Sequence, residues 1–174
     1  MENYKYETIN EAYLGTRLRD ILEISTTDVE AVSTFFSGMY NYCAVMPESN
    51  IHANDYYLYV KVFNIYFKDN PETETLFSKV IELLLSKNDI VNMYLSFEVL
   101  VSQFILTNNR ESSFDVSDAK MIDWFDRMFL FFRNTNGLEK IQYGIAKMYP
   151  DGLKGVINSY MDVITEKYDI DTTL

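Results

Sequence analysis

The stretch Asn88-Asp89-Ile90-Val91-Asn92-Met93-Tyr94-Leu95-Ser96-Phe97-Glu98-Val99-Leu100-Val101-Ser102-Gln103-Phe104-Ile105-Leu106 decides the fold. Its apolar residues (Ile90, Val91, Tyr94, Leu95, Phe97, Leu100, Val101, Phe104 and Ile105) leave almost no polar side on a helix. Asn88 or Asp89 supplies the start. At about 19 residues such a helix spans about 28 Å, the full width of a small domain. This segment is therefore expected to be the central, most buried helix, with Leu95 and Val99 nearly inaccessible.

Working outward from it, the neighbouring segments are helical too. From Thr27 to Val45, the residues Val29, Val32, Phe35, Phe36, Met39 and Cys43 form one stripe, opposite Glu30, Thr34, Ser37 and Asn41. Thr27 and Glu30 have capping-box spacing. A break at Pro47 precedes a helix from near Asn54 to Lys68. Asn70-Pro71 then reads as an N-cap followed by proline at the first helical position. Three helix starts near 54, 71 and 88 suggest a 17-residue rhythm, hence paired-helix stacking. The polar run Asn108-Asn109-Arg110-Glu111-Ser112-Ser113 reads as a mobile loop. Ser117 caps a helix to Arg133, and two more follow, Leu138 to Tyr149 and one capped by Asp151. At the other end, residues 1–24 read as helical with Gly15 as a break, and 169–174 as a frayed tail. The whole is read as one all-α domain over residues 1–174, a compact bundle of seven or eight helices, with solenoid-like stacking of helical hairpins in the middle as the alternative.

Composition fits that reading and narrows the function. A chain of 174 residues is the size of one domain, and 48% apolar content supports a packed core. Only 6 glycines and 3 prolines argue against an all-β architecture with many tight turns. The N-terminal Met1-Glu2-Asn3-Tyr4-Lys5-Tyr6-Glu7 has no basic or apolar region of a signal peptide, and no apolar run is long enough to cross a membrane. With no lipidation signal and a single cysteine, a cytoplasmic location is expected. A net charge of -11 disfavours direct binding of nucleic acid or anionic membranes. The same charge favours a basic protein partner, with solubility as the plain alternative.

Catalytic patterns are missing. One histidine, His52, cannot make a two-histidine zinc motif, and its place in a polar loop before a helix suits a solvated side chain. Ser49 and Asp55 could join it in a triad only on paper. Cys43 falls on an apolar stripe and reads as a core residue. No serine has a Gly-x-Ser-x-Gly context, and no phosphate-cradling glycine loop is present. Asp123 and Asp126 share a helix face with Lys120 and Arg127, which suits a solvated charged surface better than a metal site. Asp115-x-Ser117 opens like a calcium loop but lacks its glycine and terminal glutamate. The expectation is a protein that is not an enzyme, with no cofactor or metal, and for which a small-molecule ligand is not expected.

Misplaced apolar residues are the better clue. Tyr57 shares the polar face of its helix with Lys61, Asn64 and Lys68. In the helix after Ser117, Met121, Phe125, Met128 and Phe132 form the core stripe. Leu130 falls on the polar side, and Trp124 and Phe131 on its edge. Tyr57, Asp123, Trp124, Asp126, Leu130 and Phe131 are therefore the candidate protein-binding residues, aromatic anchors within a charged rim, unless another helix covers them. The function this implies is an acidic inhibitor of a basic protein partner. A nuclease-like toxin met by an immunity protein, or the target of a phage-encoded antagonist, has the right chemistry. The alternative is a regulatory or scaffold module with a groove for a partner helix, as in viral death-regulator bundles, although the Asn-Trp-Gly-Arg signature is absent around Trp124.

Overall fold

The computed structural model describes residues 6–45 and 52–134, without the side chains of residues 39–45, 52–56, 90, 94, 129 and 132–134. The helices expected after Leu138 and after Asp151, the tail 169–174, and the side chains of Cys43 and His52 lie outside what is described. Six helices run in order through the described residues: α1 (Ile9–Ile24), α2 (Asp28–Val45), α3 (His52–Tyr66), α4 (Thr73–Ser86), α5 (Ile90–Asn108) and α6 (Asp118–Asn134). Among these residues there is no strand. No described helix is long and apolar enough to cross a membrane. The backbone divides into two compact units, residues 1–115 and 116–174.

Short polar side chains start the helices by satisfying amide groups that have no intrahelical partner. Thr8 Oγ1 accepts from Glu11 N at 3.1 Å, and Thr27 Oγ1 from Glu30 N at 3.1 Å. Asp89 Oδ1 accepts from Asn92 N at 2.8 Å, and Ser117 Oγ from Lys120 N at 3.3 Å. The expected box at Thr27 is half made: the Glu30 carboxylate takes the Thr26 hydroxyl at 2.5 Å. Asn70, expected as the N-cap with Pro71 at the first helical position, instead holds the turn before the helix, its Oδ1 accepting from Glu72 N at 2.9 Å, and Glu72 takes the N-cap position. Regular α-helix begins only at Thr73, because Thr73 N and Oγ1 both bond to Asn70 O and tighten the first turn.

Three ends are built without glycine. Asp69, Asn88 and Arg110 take left-handed conformations, with φ of 69°, 52° and 59°. At α5, Arg110 N donates to Thr107 O at 3.1 Å and Glu111 N to Leu106 O at 2.8 Å. This is the Schellman arrangement, usually completed by glycine at the position that Arg110 occupies. Gly15, expected as a break, lies instead inside an unbroken α1. There it is buried under the Tyr6 ring, and a Cβ would overlap the ring tip.

Within residues 1–115, α2 packs against α1, α3, α4 and α5, and α3 packs against α1, α2 and α5. The core is aromatic at its middle. Phe63 lies 5.9 Å from Phe36, 5.1 Å from Phe67 and 5.9 Å from Phe77, and meets Phe114 edge-on at 6.3 Å. Such tilted contacts add to the gain from burial alone. The middle of α5 is buried on every side, with Leu95 1% and Val99 0% exposed, as its sequence requires. The 17-residue rhythm is not kept, since α3, α4 and α5 begin at 52, 73 and 90.

Candidate protein-binding surface

α3 carries its polar residues where three neighbouring helices and a loop close over them. Asn64 is 3% exposed and Gln103 on α5 is 1% exposed, so each amide must find partners inside the protein. Asn64 Nδ2 donates to Val60 O and to Gln103 Oε1, both at 2.9 Å. Asn64 Oδ1 accepts from Ser113 N and from the Ser112 hydroxyl, both at 3.1 Å. Gln103 Nε2 donates to Ser112 Oγ at 2.6 Å and to Phe114 O at 3.3 Å. The Ser112 hydroxyl has one proton for two acceptors, Asn64 Oδ1 and the Phe114 carbonyl. Phe114 packs on Phe77 at 5.2 Å. The loop after α5, read from sequence as mobile, is thus tied to α3 and α5 by a satisfied amide network and one aromatic plug.

One helical turn away sits a charged cluster. Lys61 Nζ lies 3.0 Å from Glu11 Oε1 and 3.5 Å from Glu7 Oε2. Glu11 is 1% exposed, and its second oxygen accepts from Glu7 N at 3.1 Å. Burial pushes the Glu11 carboxyl up, but the Lys61 ammonium and the Thr8 hydrogen bonds outweigh it and hold the group below its ordinary value. Burial likewise pulls Lys61 down, and Glu11, Glu7 and Glu111 together raise it. Tyr57 is half-buried, and its hydroxyl donates to Glu111 Oε2 at 2.5 Å. Burial and the Glu111 carboxylate push Tyr57 up to about 12. The face read as polar and outward therefore holds α1 and the loop to α3, and Tyr57 does not project freely.

On α6 the candidate residues separate. Asp123 is exposed, Asp126, Leu130 and Phe131 are half-buried, and Trp124 is 2% exposed, as deep as its neighbour Phe125. Trp124 is therefore not offered at the surface. Met121, Phe125 and Met128 are buried as the stripe requires. Of the candidates on this helix the structure buries Trp124 alone and leaves Asp123 exposed and Asp126, Leu130 and Phe131 partly accessible.

Exposed apolar groups occur instead on α1, where the sequence drew no attention to them. Ile9 is 88%, Tyr13 62% and Ile24 84% exposed. The face α1 turns inward is made of Glu11, Leu14, Gly15 and Leu18. A carboxylate and a glycine on the buried side obscured the helical wheel. The signal was present in the spacing of Ile9, Tyr13 and Ile24, but it needed Glu11 to be recognised as buried.

Among the described residues no group of three or more His, Cys, Asp or Glu side chains converges as a metal site would. Comparison with family models, with curated proteins and with solved structures finds no match to this chain. The fold and surface define a class only: an acidic, all-helical protein with its polar side chains partly turned inward.

Proposed function

We propose that this chain is a non-catalytic, acidic binding protein that covers and blocks a basic protein partner, one whose own target is nucleic acid. Immunity proteins and phage-encoded antagonists work in this way. The observation that carries the reading is a net charge of -11, with exposed Asp and Glu outnumbering exposed Lys and Arg over the described surface. Carboxylates at a surface raise the local concentration of a cationic partner and steer its approach. They also mix with Lys and Arg, as at Glu72, Glu74, Lys79 and Glu82, which suits protein recognition better than mimicry of a phosphate chain. The non-catalytic part rests on one histidine, one cysteine and the lack of any nucleophile motif.

The test takes a basic nuclease encoded by an adjacent gene and follows both its activity and its association with this chain. Stoichiometric inhibition is expected, with an association rate that falls at least about tenfold from low to physiological salt. Association indifferent to salt would remove the electrostatic reading and leave the acidity as a matter of solubility.

A further inference from the structure

Among the described residues four large hydrophobic side chains are exposed, and three of them, Ile9, Tyr13 and Ile24, are on α1. At about 100° per residue these three fall within an arc of about 60° on the outward side of the helix. Asp20, exposed, lies inside the same arc; Glu23, also exposed, lies about 40° beyond one edge and the exposed Arg17 about 20° beyond the other. Ile9 and Ile24 are about 22 Å apart along the axis. No basic residue stands on this stripe. Arg17 flanks it on the side of α2, where its guanidinium lies 3.7 Å from the position of a Cβ on Gly38.

The acidic end is also placed against local preference. The last turn of α1 contains no basic residue, and Glu23 sits there beside carbonyls that already carry the negative end of the helix dipole. Asp28 and Glu30, both exposed, follow at the start of α2. The stripe keeps large apolar groups in water and gathers like charge towards one end, where Arg17, three residues before Asp20, and Arg19, four before Glu23, are the basic residues of the same helix at neighbouring spacing.

We infer that the outward face of α1 is a docking surface for a basic amphipathic segment of the partner protein, whose apolar side chains cover Ile9, Tyr13 and Ile24 while its Lys or Arg side chains meet Asp20 and Glu23. This rests on the reading of the chain as an acidic binding protein and gives that reading a place on the molecule. Charge complementarity selects the occupant: a neutral or acidic apolar segment would bury Asp20 and Glu23 without a counter-charge. Apolar contact supplies residence time, and the carboxylates supply rate.

The experiment titrates the isotope-labelled full chain with three synthetic helical peptides of about 15 residues, the length that matches α1. One has a leucine face and a lysine face, one replaces leucine by serine at equal charge, and one replaces lysine by glutamate. Amide shifts from the Lys/Leu peptide are expected to concentrate between Ile9 and Ile24, with weaker binding of the Lys/Ser peptide and none of the Glu/Leu peptide. Ile9→Ser with Ile24→Ser should weaken the Lys/Leu peptide about tenfold. Asp20→Asn with Glu23→Gln should also weaken it and flatten its salt dependence, while the melting temperature stays level or rises. That combination separates a binding role from a structural one. Asp69→Asn with Glu72→Gln should change nothing. Equal binding of the Lys/Ser peptide, or shifts centred on α6 or spread over every acidic site, would overturn the α1 face and leave the general charge reading standing. Shifts between Ile9 and Ile24 on concentrating the chain alone would make a second copy the occupant and overturn the proposal. No binding of either lysine peptide at low salt would overturn the reading beneath it.

Discussion

On α3, Asn64 is polar and buried and Lys61 is polar and half-buried; on α1, Ile9, Tyr13 and Ile24 are apolar and lie outside. Each group departs from the simplest rule of sidedness, and for different reasons. α3 is enclosed by α1, α2, α5 and the loop after α5, so every face of it meets protein. Polar residues on such a helix must be matched, and Asn64 and Lys61 are. α1 is enclosed on one side only, and that side already holds Glu11, Leu14, Gly15 and Leu18. Its other side is left to solvent or to a partner. Buried polar groups with complete partners speak of architecture, whereas the apolar groups left outside on α1 are the ground on which the docking proposal stands.

The severest challenge to this contrast is Lys61→Met. It leaves Glu11 buried with its counter-ion gone, and the expected loss is about 3 kcal/mol, measured by urea unfolding. Adding Glu11→Leu should recover most of it, because no unpaired charge then remains. The same pair sets an acid limb. Glu11 titrates below its ordinary value in the folded chain, so the unfolded chain binds more protons as the pH drops. The contribution is complete above pH 4.5 and is lost as pH falls through the lowered value. Lys61, raised above 10.5, and Tyr57, raised to about 12, set the alkaline limb: their contributions are complete below their ordinary values and are lost as pH rises through the raised ones. In Lys61→Met the Glu11 part of the acid limb should flatten. An unchanged acid limb would mean that the ion pair does not hold α1 in solution.

Asn64→Ala comes next. It strands Gln103 Oε1 and Ser113 N, and about 2 kcal/mol is expected, accompanied by faster hydrogen exchange in residues 109–115. A loss of stability without loosened exchange would show that the network does not pin the loop. Arg110→Gly works in the opposite direction. Arg110 holds φ at 59°, where glycine has no steric penalty, so a gain of about 1 kcal/mol is expected in the same unfolding measurement. The smallest effect belongs to the outer face: Ile9→Ser should change stability by less than about 0.5 kcal/mol. A larger loss would place Ile9 in the core and erase the contrast with α3.

Much of the helical framework was readable because its cues are local. Thr27, Asp89 and Ser117 cap helices within two residues of where the pattern puts them, since a cap depends only on a short side chain and the next three amides. The all-round apolar character of the segment around Leu95 was enough to place α5 in the core. Tyr57 and Trp124 show where reading stopped. Both were read as surface anchors from a helical wheel, yet Tyr57 is held by Glu111, which follows it by 54 residues, and Trp124 is buried. A wheel gives angles about one axis and says nothing about how many neighbours surround it.

The sequence by itself determined that the chain is helical, where most of the described helices begin, and that its surface is acidic, because periodicity, caps and charge are properties of adjacent residues. The tertiary structure alone decided which polar residues are interior and which apolar ones remain in water. Glu11 finds Lys61 across α1 and α3, and Asn64 finds Gln103 and Ser113 across two helices and a loop. Burial of a polar group is tolerable only when such distant partners arrive together, and that depends on the packing of the whole unit, not on the spacing within any one helix.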